Sequence, residues 1–283
     1  MKVKITTDST CDLSPELLEK YGLDMISLGV SLGERSGKDG VDITPQDIYS
    51  YVDQTGTLPK TFAVNEAEYL AFFKKWTKQG YAVVHFCISS DFSSSCQNAC
   101  VAAEELKNVF VVDSRNLSTG QGLCVLHAAE MAAEGKTAEE ICEECRRYTA
   151  FVEASFVLDK LDYLYKGGRC SALARFGANL MHLKPCIEVI NGKMEPSKKY
   201  RGAFEKVVLE YVTDKLRDRT DLDHTRIFIT HTTASPECVK KVEDKINELA
   251  PGFKEILITN AGSTITSHCG PNTLGILFVR TRV

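Results

Sequence analysis

The chain has 283 residues, 43% of them apolar and 25% charged, with 38 acids against 34 bases, which is ample for one large core and comfortable for two domains. The net charge of −4, with no Lys/Arg run and no string of interleaved aromatics, excludes nucleic acid as an expected partner. No apolar stretch approaches the roughly 18 to 20 residues that span a bilayer, and the opening "MKVKITTDST" breaks its apolar run early without a small-residue cleavage site, so stable membrane insertion is not expected and a cytoplasmic, soluble protein is.

Eleven cysteines are then read as reduced, small core residues. Cys142 and Cys145 form a CxxC, but inside "TAEEICEECRRYTAF", a helix opened by a capping box of Thr137 and Glu140. No second CxxC or His pair stands at zinc spacing, so no metal is expected.

Along the first half, short apolar runs alternate with capped helices, the rhythm of an α/β sheet. Strands are predicted over 3–7, 25–30, 82–88 and 109–112. The first is followed by "TTDSTCD". Asp8 and Asp12 there could serve a phosphotransferase with an aspartyl nucleophile and a metal. The favoured reading is that Asp8 and Ser9 bond the loop's own amides. Ser14-Pro15 starts a helix with an N-cap and proline at its first position, and Leu13 can staple onto Leu18.

The strand predicted over 25–30 runs into "GVSLGERSGKDGVD". Its G-x-S-x-G would make Ser31 a nucleophile on a sharp strand-to-helix turn, yet no helix follows until Thr44, and a strand entering a hairpin is the better reading. "GERSGKD" resembles a Walker A loop one residue short, with Asp39 where Ser or Thr should bind magnesium, so nucleotide binding is rejected. Thr44-Pro45 and Asn65 with Glu68 start two more helices. Thr61, just ahead of the second, is an ordinary loop threonine when taken alone.

The strand over 82–88 ends in "CISSDFSSSCQNAC". A strand's carboxyl end feeding a helix N-terminus is where open α/β sheets bind ligands, because free amides and the helix dipole favour an anion. Among Ser89, Ser90, Ser93, Ser94 and Ser95, one serves as N-cap and another is a candidate ligand contact.

Helices over 118–134 and 138–150 close this half. The rhythm then changes: "EASFVLDKLDYLYKGGRCS" holds a short strand, a turn or two of helix and a glycine turn. "LKPCIEVINGKMEPSKKYRG" holds two strands joined by Asn191-Gly192, the two-residue hairpin signature, and ends at Arg201. A helix capped at Ser235-Pro236 separates "RIFITHT" from "EILITNAG". The predicted fold is therefore α/β, with two α/β domains packed together: residues 1–150 with a mainly parallel sheet flanked by helices, and 151–283 with a mixed, partly antiparallel sheet and helices. A cleft is expected between them. In "ITNAGSTITSHCGPNTLGILFV" a polar turn separates two apolar strands. A strained turn, a nucleophile with its base, or a cradle for an anionic group would each suit it.

"KITTDSTCDLSPELLEKYGLDMISLGV", "ISSDFSSSCQNA", "VVDSRNLSTGQGLCV", "LDYLYKGGRCS", "KKYRG" and "SHCGPNTLGI" together resemble the DegV family of bacterial fatty-acid-binding proteins, in the family's order and over essentially the whole chain. The resemblance implies a narrow apolar tunnel at the domain junction holding one long-chain fatty acid such as palmitate, stearate or oleate, with no cofactor and no chemistry of its own. It implies a carrier in lipid transport or fatty acid metabolism, in some members presenting the acid to a separate fatty acid kinase. Block by block, the carboxylate-binding serine falls on Ser93, the threonine on Thr61, the histidine on His268 and an arginine near the tunnel mouth on Arg201. Where many relatives read Thr-Ser-Gln-Pro this chain has Thr61-Phe62-Ala63-Val64, and Ser94-Ser95 replace the usual Gly-Thr. Both departures bear on head-group geometry and chain preference. The competing expectation is an enzyme, a serine hydrolase using Ser31 or Ser93 with His268 or a phosphotransferase using Asp8; an interaction module with no deep pocket is the third.

Overall fold

The computed structural model of the chain describes residues 1–176 and 183–281; the other positions of the second predicted domain lie outside the described residues. The first half runs β1 (Lys2–Asp8), α1 (Pro15–Lys20), β2 (Asp24–Ile26), β3 (Gly29–Leu32), β4 (Arg35–Lys38), α2 (Pro45–Thr55), β5 (Lys60–Phe62), α3 (Glu66–Thr77), β6 (Tyr81–Cys87), α4 (Ser95–Glu104), β7 (Val109–Asp113), α5 (Ser118–Ala133) and α6 (Ala138–Tyr148). Strands β2, β1, β6 and β7 form a parallel sheet in that order, while β4, β3 and β5 form a small antiparallel one. The single strand predicted over 25–30 is thus two strands in two sheets. The break at Ser27-Leu28 is pinned because the Leu28 amide donates to Ser9 Oγ at 3.1 Å and its carbonyl accepts from the Asp39 amide.

The caps are where the sequence puts them. Ser14 Oγ accepts from the Leu17 amide at the start of α1. Thr44 with Asp47, Asn65 with Glu68, and Thr137 with Glu140 each make both bonds of a capping box. The G-x-S-x-G segment is the predicted hairpin, β3 against β4.

The second half runs β8 (Val152–Leu158), α7 (Asp162–Gly167), β9 (Lys184–Ile190), β10 (Lys193–Tyr200), α8 (Phe204–Leu216), β11 (Leu222–His231), α9 (Pro236–Leu249), β12 (Glu255–Asn260), α10 (Ser263–Cys269) and β13 (Thr273–Arg280). Its six strands form one mixed sheet in the order β10-β9-β8-β13-β11-β12, in which only β11 and β12 are parallel. Asn191 and Gly192 turn β9 into β10 with φ of 51° and 82°, the pair of positive angles a type I′ turn requires.

Helix α5 lies between the two large sheets, packed on β1 and β6 of one and on β8, β11 and β13 of the other. A helix enclosed by two sheets is largely apolar: Leu123, Cys124, Val125, Leu126 and Ala128 are all fully buried, and the buried Ser118, Thr119 and Gln121 of its first turn are bonded to Asp12, Thr230 and Asp8. Its glycines allow the close approach. A Cβ at Gly120 would stand 2.2 Å from Asn116 Oδ1, and one at Gly122 would stand 3.0 Å from the Cys11 carbonyl. One apolar cluster consequently runs from Ile5 and Phe86 through α5 into Val152, Phe228 and Leu277. All eleven cysteines are unbridged, and all but Cys100 are buried. Among the described residues no helix is long and apolar enough to cross a membrane.

Candidate functional site

The segment expected as a polar turn is a helix, α10, and most of it is buried: Ser263, Thr264, Ile265, Thr266, Ser267 and Cys269. A seven-residue helix of hydroxyl residues has little intrinsic stability; tertiary bonds to its start hold it. Asp39 accepts from the Ser263 amide at 2.7 Å and the Thr264 amide at 3.2 Å, and Asp12 accepts from the Gly262 amide at 2.8 Å. Asp39 is itself oriented by Ser9 Oγ and Asp12 by Ser118 Oγ. Burial pushes the Asp12 carboxyl up to about 8. The acid that spoils the Walker-like loop is thus a buried helix cap.

The last turn of α10 presents His268. Its Nε2 lies 2.8 Å from Oγ1 of Thr61, the least exposed of the three residues of β5; its Nδ1 is buried and has no partner among the described residues. Nδ1 faces Gly167 so closely that a Cβ there would stand 2.5 Å away. Burial first, and then the Arg169 charge, hold the imidazole down at about 4, so the ring is neutral at pH 7. The tautomer with its proton on Nε2 donates to Thr61 and leaves the threonine's own hydrogen free for a ligand.

Ser93 faces the same space. Its Oγ accepts from the Ser95 amide at 3.2 Å and lies 3.1 Å from Ser95 Oγ, at the start of α4. Ser94 holds the N-cap position but makes no capping bond. Thr61, Ser93 and His268 line one slot together with Leu28, Ile88, Phe92, Leu117 and Ile265. Its free volume is about 50 Å³, and a second slot of about 30 Å³ continues it past Leu117, Ile265 and Cys269 toward Phe156 and Leu277. A larger cavity of about 480 Å³ lies elsewhere, between β8 and β9, and is rimmed by ion-paired Glu153, Arg280, Glu188 and Lys215.

Arg201 is the predicted site residue that the structure does not bring in. It is exposed just beyond β10, at the edge of the six-stranded sheet, and does not line the slot. The arginine on the slot is Arg169, after α7, whose guanidinium donates to the Gly167 carbonyl at 2.8 Å. It stands in the "YKGGRCS" block, where the signal available was its place right after a glycine turn. The apolar departure at Phe62 and Ala63 is in the slot wall, with the Phe62 ring lying across Gly29, where a Cβ would overlap it at 1.8 Å.

For the enzymatic readings the geometry is unfavourable. His268 bonds Thr61 and not Ser93, Ser31 Oγ donates to the Gly33 carbonyl, and Asp8 is fully buried, accepting from Thr10, Ile88 and Gln121. The favoured reading, that Asp8 and Ser9 bond their loop's own amides, holds for Asp8 with the Thr10 amide; Ser9 Oγ instead accepts from the distant Leu28 amide and donates to Asp39.

Comparison with known proteins places the chain by family and fold. A family model described as "Uncharacterised protein, DegV family" matches residues 2–281. A DegV domain-containing protein of Clostridium perfringens is 35% identical over 98% of each chain. A protein of Thermotoga maritima named fatty acid-binding protein is 31% identical over 97% of this chain and 96% of its own. The solved structure of a DegV family protein from Thermus thermophilus, described for its fatty acid binding, superposes with a TM-score of 0.88 at 28% identity, over 99% of this chain and 100% of that one. In sequence along its whole length, and in fold, the chain belongs to the DegV family.

Proposed function

We propose that this chain binds one long-chain fatty acid, its carboxylate meeting Thr61, Ser93 and His268 with Arg169 at the mouth, and its tail running past Leu117 and Ile265. The observation carrying this is the convergence of Thr61, Ser93 and His268, from three distant segments, on one apolar slot. A carboxylate entering such a slot stays ionised only if donors replace its water. Thr61 and Ser93 supply hydroxyls, neutral His268 fixes the first of these, and Arg169 supplies the charge.

The tail provides most of the affinity. Burying about 14 methylenes at ~0.8 kcal/mol each contributes ~11 kcal/mol gross, before the cost of ordering the ligand, against ~1 kcal/mol net for a neutral hydrogen bond. Ligand pockets usually have about 300–1,000 Å³, far more than the two slots hold together, so Leu117, Ile265 and Cys269 must part to admit the chain. In this reading the protein is a cytoplasmic carrier without chemistry of its own, built of units 1–150 and 151–283, which can present its cargo to a separate fatty acid kinase.

Native mass spectrometry and lipid extraction of the purified protein test the proposal. Protein that is repeatedly empty and also rejects added palmitate and oleate overturns it. Ser93→Ala combined with His268→Ala is expected to weaken acid binding more than binding of the matched alcohol; equal losses remove the head-group role. Fluorophosphonate labelling of Ser93 that disappears in His268→Ala would instead establish a hydrolase.

A further inference from the structure

Four side chains of α10 carry hydroxyls, and three of them are bonded to backbone. Ser263 Oγ donates to the Ile43 carbonyl at 2.6 Å, Thr266 Oγ1 to Ala261 at 3.3 Å and Ser267 Oγ to Ser263 at 2.7 Å. Thr264 differs. It is 4% exposed, it lines the slot, and its Oγ1 has no hydrogen-bond partner among the described residues. Its backbone amide is used by Asp39, so the residue is fixed in place while its hydroxyl is left over. Beyond it, the continuation of the slot is lined by His231, Thr230 and Thr232, and the buried His231 Nδ1 likewise has no partner there.

A wall built for plain hydrocarbon gains nothing from these atoms. A buried hydroxyl left unpaired costs about 1–3 kcal/mol, and valine fills the same shape without that cost. Thr264 stands four residues before His268, about one turn along the same face of α10, so the two residues are about 6 Å apart along the helix axis. We propose that the preferred ligand is a long-chain fatty acid bearing a hydroxyl on its chain, in the carboxyl-proximal half, and that Thr264 is the residue that recognises that oxygen. This rests on the fatty-acid reading above and names the class of acid within it.

The test uses delipidated protein titrated with stearate and with a set of its positional hydroxy isomers. In the wild-type protein at least one isomer with its oxygen in the carboxyl-proximal half binds about tenfold tighter than stearate, as one satisfied buried hydrogen bond allows. Thr264→Val removes that preference and holds or tightens stearate itself, while Thr264→Ser keeps it. The inference is overturned if every isomer binds more weakly than stearate, or if the preference survives in Thr264→Val. Should the valine variant misfold by circular dichroism, the wild-type ranking and the serine variant still decide. Binding of stearate without a hydroxyl preference sinks this inference and leaves the carrier reading standing; failure of stearate and all its isomers to bind sinks both.

Discussion

Replacing Gly167 by alanine adds one methyl group at the end of α7 and aims it at His268. The new Cβ would stand 2.5 Å from Nδ1 and 3.4 Å from Cε1, about 1 Å inside carbon van der Waals contact at the nearer atom. Two effects oppose each other. Alanine favours the helix over glycine by up to ~1 kcal/mol, whereas the clash drives the imidazole away and stretches its 2.8 Å contact with Thr61 Oγ1 beyond hydrogen-bonding range. The fold should therefore be altered by no more than about 1 kcal/mol, because a ring at the slot edge can swing. The head-group site loses its ordered donor, and a hydrogen bond to a charged group is worth about 1.5–3 kcal/mol, or roughly 10- to 100-fold in Kd. Calorimetric titration of delipidated protein with oleate and with oleyl alcohol, beside a urea melt of each variant, reads both quantities. Acid affinity falling in that range while alcohol affinity holds is the expected result. Unchanged acid affinity in a protein made more stable would show that the ring is not pinned between Gly167 and Thr61, and the head-group assignment would fail with it.

Arg169→Ala is expected to weaken oleate binding by about tenfold, as loss of one charge-assisted contact implies, and Arg201→Ala to leave it unchanged; the reverse pattern in the same titration would restore Arg201 to the site. Asp39→Ala leaves the Ser263 and Thr264 amides and Ser9 Oγ without their acceptor, for a predicted loss of about 3 kcal/mol or more in urea denaturation; a loss under about 1 kcal/mol would refute the capping role. His268 is held near 4 against its ordinary 6.5, so between those values the unfolded chain binds the extra proton and stability falls as pH drops from 6.5 toward 4. Its share at pH 5 is about 2 kcal/mol, read as the difference between wild-type and His268→Gln denaturation at pH 7 and pH 5. That difference cancels the opposite trend from Asp12, whose raised carboxyl loses stability as pH climbs toward 8. Parallel pH curves for the two proteins would contradict the assignment.

What could be read from the sequence was whatever is decided locally. Ser14, Thr44, Asn65, Thr137 and Ser235 announce their helices because a cap is satisfied within three residues, and Asn191-Gly192 announces its hairpin because only such residues take two positive φ angles cheaply. Thr61, Ser93 and His268 could be named only through the whole-chain resemblance, since nothing local separates a slot hydroxyl from a loop hydroxyl. Helix α10 was illegible for the opposite reason. Its residues are poor helix formers, and the acceptors that make it a helix, Asp12 and Asp39, lie over 200 residues earlier. That Arg169 and not Arg201 lines the slot was equally hidden, since it depends on how α7 and β10 are placed in the fold.

Asp12 and Asp39 belong to the leading half of the chain and α10 to the trailing half, so the piece that carries His268 is latched onto its neighbour. Opening the molecule like a clamshell would strip two acidic side chains and three main-chain amides of their mates at one stroke, far from bulk water and at several times thermal energy. On the proposed fatty-acid reading, an acyl chain then enters with the two halves still latched, by rotamer changes at Leu117, Ile265 and Cys269. On that reading the bulk of those side chains, rather than a swing of one half against the other, sets the rates of loading and unloading.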